Sequence, residues 1–269
     1  MPTVAGLRAQ ALARIDALDA DVLLMHALGV TKEQLYARPE QEVGETAAAR
    51  YEALVRRRAA GEPVAYLRGW KEFYGLRFAV DRRVLIPRPE TETIVDAIRA
   101  SDARLVADVG TGSGAIAVAL AVSEPAVRVI ATDLSADALA VARANVRAHG
   151  VADRVELRQG DLLEPLRERV DALAANLPYL TDADAADTRG ERASLTFEPA
   201  LAVRAGPDGL ALIRRAIADL PRVLAPGGSA YFECDPPQAR ARAGEHGGAV
   251  LRDLAGSERV VVLRGMMAR

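Results

Sequence analysis

Apolar residues recur every three or four positions between residues 4 and 60, with charged residues filling the positions between them. This spacing puts the apolar side chains on one face of a helix, and Gly29 and Arg38-Pro39 interrupt it. Residues 1–62 are therefore predicted to form a small domain of several short amphipathic helices. Such a domain could cap the rest of the chain or bind a partner.

Aromatic and β-forming residues concentrate in the next stretch, residues 63–89. Tyr66-Leu67, Trp70 and the glycine-centred segment 73–80 predict a β-hairpin. Pro87-Arg88-Pro89-Glu90-Thr91-Glu92 then predicts a rigid extended segment that opens a helix, with acidic residues in its first turn. The stretch is predicted to link two domains, as a wall between them or as the lid of a cleft.

Strand and helix patterns alternate from Arg104 onward. The predicted strands cover residues 105–109, 128–133, 155–158, 172–175, 229–234, 249–254 and 260–263. The predicted helices cover residues 115–122, 136–149 and 209–224. Such alternation is typical of a mostly parallel sheet wrapped by helices. The predicted fold class for residues 90–269 is α/β, a doubly wound, Rossmann-like sheet.

A glycine-rich loop lies between the first of these strands and its helix. It consists of Gly110, Thr111, Gly112, Ser113 and Gly114, and Asp108 precedes it. Glycines at alternate positions let the backbone turn sharply and expose N–H groups to a ligand. The spacing lacks one residue of the dinucleotide fingerprint, and the Asp108 carboxylate would repel a pyrophosphate but attract an amino group.

Two further aspartates follow successive strands. Asp133 ends the second strand, where a carboxylate can accept hydrogen bonds from both ribose hydroxyls. Asp161 follows the third strand, where it could bind an adenine amino group with Leu162 against the ring. Each aspartate alone could instead be a helix cap or a turn residue. Together with the glycine loop, they indicate S-adenosylmethionine as the cofactor.

The fourth strand runs into Asn176-Leu177-Pro178-Tyr179. Pro178 has a fixed φ and keeps Leu177 out of the helical region, so the direction of the Leu177 carbonyl is set locally. This carbonyl and the Asn176 side-chain oxygen could accept both hydrogens of one planar NH₂ group. The Tyr179 ring could stack on an amide or a base. The tetrapeptide alone is equally compatible with a strand followed by an ordinary proline turn.

Composition limits the ligands, cross-links and location that the chain can be expected to have. The chain has 269 residues and a formal net charge of −2, which argues against a protein that holds nucleic acid mainly through its phosphates. Cys234 is the single cysteine and there are three histidines, so no disulfide and no metal site is predicted. No long apolar run or signal-like start is evident, and a cytoplasmic location is expected.

The motifs resemble those of the class I methyltransferases. Within that group, the chain resembles the release factor glutamine methyltransferase family, which methylates the Gln side-chain amide of the Gly-Gly-Gln motif in peptide chain release factors. The distinctive combination is Pro-Arg-Pro-Glu-Thr-Glu at 87–92 with Asn-x-Pro-Tyr at 176–179. The resemblance covers nearly the whole chain and also includes Gly61-Glu62-Pro63-Val64-Ala65-Tyr66, Glu72-Phe73 and Phe197-Glu198-Pro199.

The resemblance implies methyl transfer from S-adenosylmethionine to an amide nitrogen of a release factor without a metal. The chain is expected to be a monomer. It assigns catalysis to Asn176, Leu177, Pro178 and Tyr179. It assigns cofactor binding to Asp108, Gly110, Thr111, Gly112, Ser113, Gly114, Asp133, Asp161, Leu162 and Asn176.

One position departs from the family pattern, because Leu177 replaces the first proline of Asn-Pro-Pro-Tyr. Asn-Leu-Pro-Tyr looks like the motif of ribosomal RNA adenine dimethyltransferases. Two alternatives therefore stay open. The chain could methylate an exocyclic amine of a nucleic acid base, or it could be a non-catalytic protein that binds S-adenosylmethionine and a partner.

Overall fold

Five short helices form the N-terminal part of the protein, and the apolar spacing predicts those within residues 1–62. The computed structural model describes residues 1–186 and 190–265, with side chains for residues 1–184 and 194–265. The chain divides into two compact units, Met1–Trp70 and Lys71–Arg269. The helices of the first unit are α1 (Val4–Leu12), α2 (Ala17–Leu28), α3 (Lys32–Ala37), α4 (Glu45–Ala59) and α5 (Val64–Arg68).

The apolar faces of these helices meet in one core. α2 starts at Asp16, whose carboxylate accepts a hydrogen bond from the Asp19 N–H, and it ends at Gly29 with a φ of 68°. The Tyr51 ring of α4 is buried, and its hydroxyl donates to the Ala20 carbonyl at 3.1 Å. This bond satisfies the polar atom of an otherwise apolar core.

Tyr66 and Leu67 do not belong to the hairpin, so the prediction for these two residues is wrong. Both lie in α5, which Pro63 opens and Gly69 closes with a φ of 77°. Proline at the start and a left-handed glycine at the end enclose one helical turn. These flanking signals override the strand preference of the aromatic residue.

The hairpin itself is present just after this turn. Its strands are β1 (Trp70–Phe73) and β2 (Leu76–Ala79). Tyr74 and Gly75 connect them with φ values of 53° and 70°, as a tight two-residue hairpin turn requires. The Tyr74 N–H donates to the Glu92 carboxylate at 2.7 Å, which joins the hairpin to the helix that follows the Pro-Arg-Pro segment.

A seven-stranded, mostly parallel sheet forms the centre of the second unit, which confirms the predicted fold class. The strand order is β5-β4-β3-β6-β7-β9-β8. The first five strands in this order, β5, β4, β3, β6 and β7, are parallel to one another. β9 runs antiparallel to both of its neighbours, β7 and β8. The strands are β3 (Leu105–Val109), β4 (Arg128–Asp133), β5 (Val155–Gln159), β6 (Val170–Ala175), β7 (Leu224–Glu233), β8 (Ala249–Arg252) and β9 (Glu258–Arg264).

Helices cover both faces of this sheet. Successive strand residues enter different cores: Val106 packs in one apolar cluster, and Ala107 and Val109 pack in the other. This alternation follows from the two-residue period of a strand and explains why the strands are apolar throughout. The helices are α6 (Glu92–Arg99), α7 (Ala115–Ser123), α8 (Ala136–Ala148), α9 (Asp182–Ala186), α10 (Ala200–Val203), α11 (Ala211–Val223) and α12 (Pro236–His246), with 3₁₀ turns at Pro89–Thr91 and Gly190–Phe197.

Two features of the second unit go beyond the sequence prediction. β7 begins at Leu224 rather than at residue 229, directly after α11. α12 was not predicted because its alternating Ala and Arg residues form no apolar stripe. Its ends carry clear signals, since Asp235 and Gln238 form a capping box and Gly247 closes the helix with a φ of 64°.

Among the described residues, no helix is both long enough and apolar enough to cross a membrane.

Candidate active site

A cavity at the carboxyl ends of β3, β4 and β6 brings together most of the predicted site residues. Its volume is about 480 Å³, and it lies where the strand order reverses, between β3 and β6. The predicted residues that line it are Gly110, Thr111, Gly112, Ser113, Asp133, Asp161, Asn176, Leu177 and Pro178. Four other predicted residues, all within the described part of the chain, lie outside this lining: Asp108, Gly114, Leu162 and Tyr179.

The glycine loop forms one wall of the cavity. Gly110, Gly112 and Gly114 all have positive φ, between 55° and 80°, which residues with a Cβ adopt only at a cost. A Cβ at Gly110 would lie 3.0 Å from Leu177 Cδ2, and one at Gly114 would lie 3.3 Å from the Ala142 Cβ. The loop therefore depends on glycine both for its backbone conformation and for its close packing.

Asp108 supports this loop from behind. Its buried carboxylate accepts hydrogen bonds from the Thr111 hydroxyl at 2.6 Å and from the Ala117 N–H at 3.1 Å. Burial raises the pKa of Asp108 to about 6, and these two hydrogen bonds oppose the shift. Asp108 thus ties the loop to the first turn of α7.

Asp133 holds the loop from the cavity side. One carboxylate oxygen accepts from the Gly112 N–H and the other from the Ser135 N–H, both at 2.9 Å. Burial raises the pKa of Asp133, and backbone N–H groups oppose the shift. Each oxygen keeps a second lone pair that can accept a hydrogen bond from a ligand.

Leu134 is a cavity residue that the sequence analysis missed. It follows Asp133, it is 55% exposed and it lines the cavity. The apolar surface was expected from Leu162, which lies outside the cavity lining and packs against the apolar cluster that contains Ala107 and Val109. Leu162 has a φ of 47°, and its carbonyl accepts from the Thr132 hydroxyl at 3.1 Å. An apolar residue directly after a strand-end aspartate is the signal that could have identified Leu134.

Asp161 follows β5 and lines the same cavity. Its carboxylate forms an ion pair with Arg215 at 2.6 Å, and both residues line the cavity. Both side chains are substantially exposed, so this pair contributes little to stability. It does fix the direction of the Asp161 carboxylate.

The Asn176 tetrapeptide forms the second wall. The Asn176 Nδ2 donates to the Thr91 hydroxyl at 2.9 Å, and Leu177 is buried against the glycine loop. Tyr179 is turned toward the protein interior, where its hydroxyl lies 3.4 Å from the Glu233 carboxylate and burial raises its pKa. The Gln238 side chain donates to the Tyr179 carbonyl at 3.0 Å, which fixes the end of the turn.

Glu198 holds the Pro-Arg-Pro segment in place beside the Asn176 tetrapeptide. The Glu198 carboxylate is fully buried, accepts from the Ile86 N–H at 3.0 Å and pairs with the Arg88 guanidinium. Phe197-Glu198-Pro199 was expected only as part of the family resemblance. In the structure, its glutamate fastens the extended segment that carries Thr91.

Asn145 connects the hairpin to the glycine loop and was also missed. Its buried side chain bonds to both backbone groups of Ala79, at 2.8 and 3.0 Å, and donates to the Ser113 carbonyl at 2.8 Å. An asparagine in the middle of an amphipathic helix is the signal that could have identified it, since such residues are buried only when paired.

Comparisons with known proteins agree with this architecture. Residues 7–69 match the family model described as the PrmC N-terminal domain, and residues 89–193 match the Methyltransferase small domain. The catalytic domain of hMettl16 has a similar fold, with a TM-score of 0.55 and 16% identity over 84% of this chain and 83% of that chain.

Two curated relatives extend over nearly the whole sequence. The release factor glutamine methyltransferase of Moorella thermoacetica is 43% identical over 90% of this chain and 89% of the relative. The protein of the same name from Xylella fastidiosa (strain 9a5c) is 41% identical over 98% of each chain. These relatives confirm the resemblance inferred from the motifs, and the chain belongs to the release factor glutamine methyltransferase family.

Proposed function

We propose that this protein transfers a methyl group from S-adenosylmethionine to the side-chain amide nitrogen of the Gln in the Gly-Gly-Gln motif of class 1 peptide chain release factors. The observation that carries the proposal is the position of Asn176. Its side-chain amide lines a cavity that also contains the glycine loop, and its Nδ2 is already bonded to Thr91. The remaining acceptor, Oδ1, is available for a substrate N–H.

The residues of the cavity fit S-adenosylmethionine. The glycine loop lets a ligand approach its backbone without side chains in the way, while its N–H groups at 110, 111, 112 and 114 donate within the protein and hold the loop in shape. Asp133 has free lone pairs for ribose hydroxyls. Asp161 and the exposed Leu134 suit the amino group and the face of an adenine. We assign Asp108 and Gly114 to the support of this loop, because their contacts lie behind it.

When bound, the cofactor supplies an electrophilic methyl group on a sulfonium centre. The amide nitrogen of the substrate is a poor nucleophile, because its lone pair is delocalised into the carbonyl. Asn176 Oδ1 and the Leu177 carbonyl accept the two hydrogens of this NH₂ group, which aims the nitrogen and increases its electron density. Correct positioning of reactants can lower a barrier by about 7–11 kcal/mol in favourable intramolecular models.

Pro178 and Tyr179 act on the geometry of these acceptors. Pro178 restricts the backbone of Leu177, and the Tyr179 carbonyl is held by Gln238. The acceptor pair is thus presented by a turn whose two ends are fixed. A proton leaves the nitrogen readily once the methyl group has been transferred, so the mechanism uses no dedicated base and no metal.

We propose a monomer as the active form. Cys234 is buried, and burial raises its pKa to about 12, so this thiol takes no part in the chemistry. We place the reaction in the cytoplasm.

The test is mass spectrometry of the Gly-Gly-Gln peptide after a purified release factor has been incubated with this protein and S-adenosylmethionine. We expect a gain of one methyl group on the Gln and no gain in a release factor whose Gln is replaced by Glu. If wild-type release factor gains no methyl although calorimetry detects cofactor binding, the proposed substrate is wrong. Methylation of ribosomal RNA in a parallel reaction would then identify the alternative suggested by Leu177.

A further inference from the structure

Two buried side chains, those of Thr91 and Glu233, continue a chain of hydrogen bonds from the Asn176 amide. The Asn176 Nδ2 donates to Thr91 Oγ1 at 2.9 Å, and the Thr91 hydroxyl donates to Glu233 Oε2 at 2.6 Å. Thr91 is 4% exposed and Glu233 is 1% exposed, so water does not compete for these bonds. The second oxygen of Glu233 accepts from the Tyr179 hydroxyl at 3.4 Å.

Three separate elements supply these side chains. In the sheet, Ala175 of β6 is paired with Phe232 of β7, so Asn176 and Glu233 are the next residues on neighbouring strands. Thr91 is the last residue of the 3₁₀ turn that follows the Pro-Arg-Pro segment. The motif that distinguishes the family at 87–92 therefore delivers a hydroxyl between the two strand ends.

The hydrogen bonds that join Asn176, Thr91 and Glu233 can run in one direction only, from Asn176 to Glu233. An ionised Glu233 can only accept, so the single Thr91 proton must point toward it. Thr91 Oγ1 then has only lone pairs to offer, so the Nδ2 end of the Asn176 amide must face it. The Oδ1 end of the same planar group consequently faces away from Thr91.

We propose that Thr91 and Glu233 are positioning residues that fix which end of the Asn176 amide is presented to the substrate. This inference rests on the proposed function, in which Asn176 Oδ1 accepts a substrate N–H. Without the direction set by Glu233, a flipped amide would present a donor to the substrate NH₂ group. Two donors cannot bond to each other, so the flipped form would be inactive.

The charge of Glu233 makes this arrangement sensitive to pH. The pKa of Glu233 is raised to about 7, mainly by burial and also by the neighbouring Glu90, while Thr91, Arg259 and Tyr179 oppose the shift. Below this pKa the neutral carboxyl can itself donate to Thr91, which releases the Thr91 proton toward Asn176. We therefore expect kcat to fall as the pH is lowered through about 7.

Two substitutions at Thr91 separate the hydroxyl from the volume of the side chain. Thr91→Val keeps the shape but removes the bond to Asn176, and we expect kcat to fall on the order of 100-fold, as for a misplaced catalytic group. Thr91→Ser keeps the hydroxyl and should retain kcat close to that of the wild type. The dissociation constant of S-adenosylmethionine and the KM for the release factor should change little in either variant.

Glu233→Gln tests whether the Glu233 carboxylate sets the direction of these hydrogen bonds. A Gln at this position offers both a donor and an acceptor to Thr91, so both orientations of the Asn176 amide become allowed. We expect kcat to fall and its inflection near pH 7 to disappear. A fall in kcat with the inflection retained would overturn the role given to Glu233.

A second readout needs neither substrate nor turnover. Asn145 and Asn176 are the two asparagines of the chain, so protein labelled with ¹⁵N in its asparagine side chains gives two pairs of NH₂ signals by NMR. Asn176→Ala identifies the Asn176 pair by its loss. We expect Thr91→Val to move that pair and Thr91→Ser to keep it in place. The Asn145 pair, bonded to Ala79 and Ser113, is the internal control.

The two readouts distinguish failure of this inference from failure of the proposed function. If wild-type protein methylates no release factor, the function is wrong, and the NMR signals still decide whether Thr91 orients Asn176. If Thr91→Val leaves the Asn176 pair unmoved, or if Thr91→Ser loses kcat as severely as Thr91→Val, the inference is overturned. A matching thermal unfolding midpoint for the two Thr91 variants excludes a general loss of structure.

Discussion

The two walls of the cavity are built in different ways. The glycine-loop wall is held by bonds between residues close in sequence, such as Thr111 to Asp108 and Gly112 to Asp133, which are 3 and 21 positions apart. The Asn176 wall is held by side chains 85 and 142 positions apart, from Asn176 through Thr91 to Glu233. One wall depends on backbone conformation, and the other depends on side chains that the fold brings together.

This difference separates two tasks. A wall made of glycine backbone can approach a ligand closely, but it offers few side chains whose chemistry can be varied. A wall made of side chains from distant segments can direct a single hydrogen bond acceptor. We therefore expect substitutions in the glycine wall to affect cofactor binding, and substitutions in the Asn176 wall to affect turnover.

The largest expected effect is that of Asn176→Ala. Removal of the acceptor should lower kcat on the order of 100- to 1,000-fold, as is typical when one preorganised group of a catalytic site is lost. The dissociation constant of S-adenosylmethionine, measured by calorimetry, should stay near the wild-type value. An unchanged kcat would contradict the assignment of Asn176. A parallel loss of cofactor affinity would contradict the assignment of cofactor binding to one wall and turnover to the other.

A smaller effect is expected from Gly209→Ala, which tests the support of the Asn176 wall. Gly209 has a φ of 70°, and a Cβ there would lie 2.1 Å from the Tyr179 carbonyl oxygen. The matched control is Gly247→Ala, because Gly247 has a φ of 64° and nothing within 4 Å of the added Cβ.

We expect Gly247→Ala to lower the free energy of unfolding by about 1–2 kcal/mol, the cost of the left-handed backbone. Gly209→Ala should add a further loss of about 1–3 kcal/mol through overpacking, and it alone should lower kcat. Chemical denaturation and the methyl transfer assay measure the two effects. Equal unfolding free energies in the two variants would show that the contact with Tyr179 contributes nothing to stability.

The smallest effect is expected from Gly110→Ala in the glycine wall. The added Cβ would lie 3.0 Å from Leu177 Cδ2, at a φ of 72°. The dissociation constant of S-adenosylmethionine should rise about 10-fold, which corresponds to about 1.4 kcal/mol. Gly150→Ala, with a φ of 67° and open space around the Cβ, carries the same backbone cost and should bind the cofactor like the wild type. Equal affinities in both variants would refute a specific role of this contact.

The same difference explains how much of the site could be predicted from the sequence. Gly110 to Gly114 and Asp133 lie next to strand ends, so a local pattern identified them together with the strands. Thr91 belonged to a recognised motif and Glu233 to a predicted strand, but no local signal connects either residue to Asn176. Their connection requires the order of β6 and β7 in the sheet, which the hydrophobic pattern does not contain.

Leu162 and Tyr179 lie outside the cavity lining for a related reason. Leu162 follows Asp161, yet its backbone is left-handed and its side chain packs against the core. The Tyr179 hydroxyl turns toward Glu233, and stacking of the Tyr179 ring on a substrate stays a prediction. Sequence position predicts the strand end from which a side chain starts, and the local backbone torsions decide which way it points.

The two walls touch where Leu177 packs against Gly110, and this contact has an evolutionary consequence. Leu177 is also the residue at which the chain departs from the Pro of its family. Because a Cβ at position 110 would lie 3.0 Å from Leu177 Cδ2, an alanine there requires the Leu177 side chain to shift, and the two positions are energetically coupled. A smaller residue at position 177 would remove this contact and lower the cost of a side chain at position 110. A change in one wall therefore alters which changes the other wall tolerates.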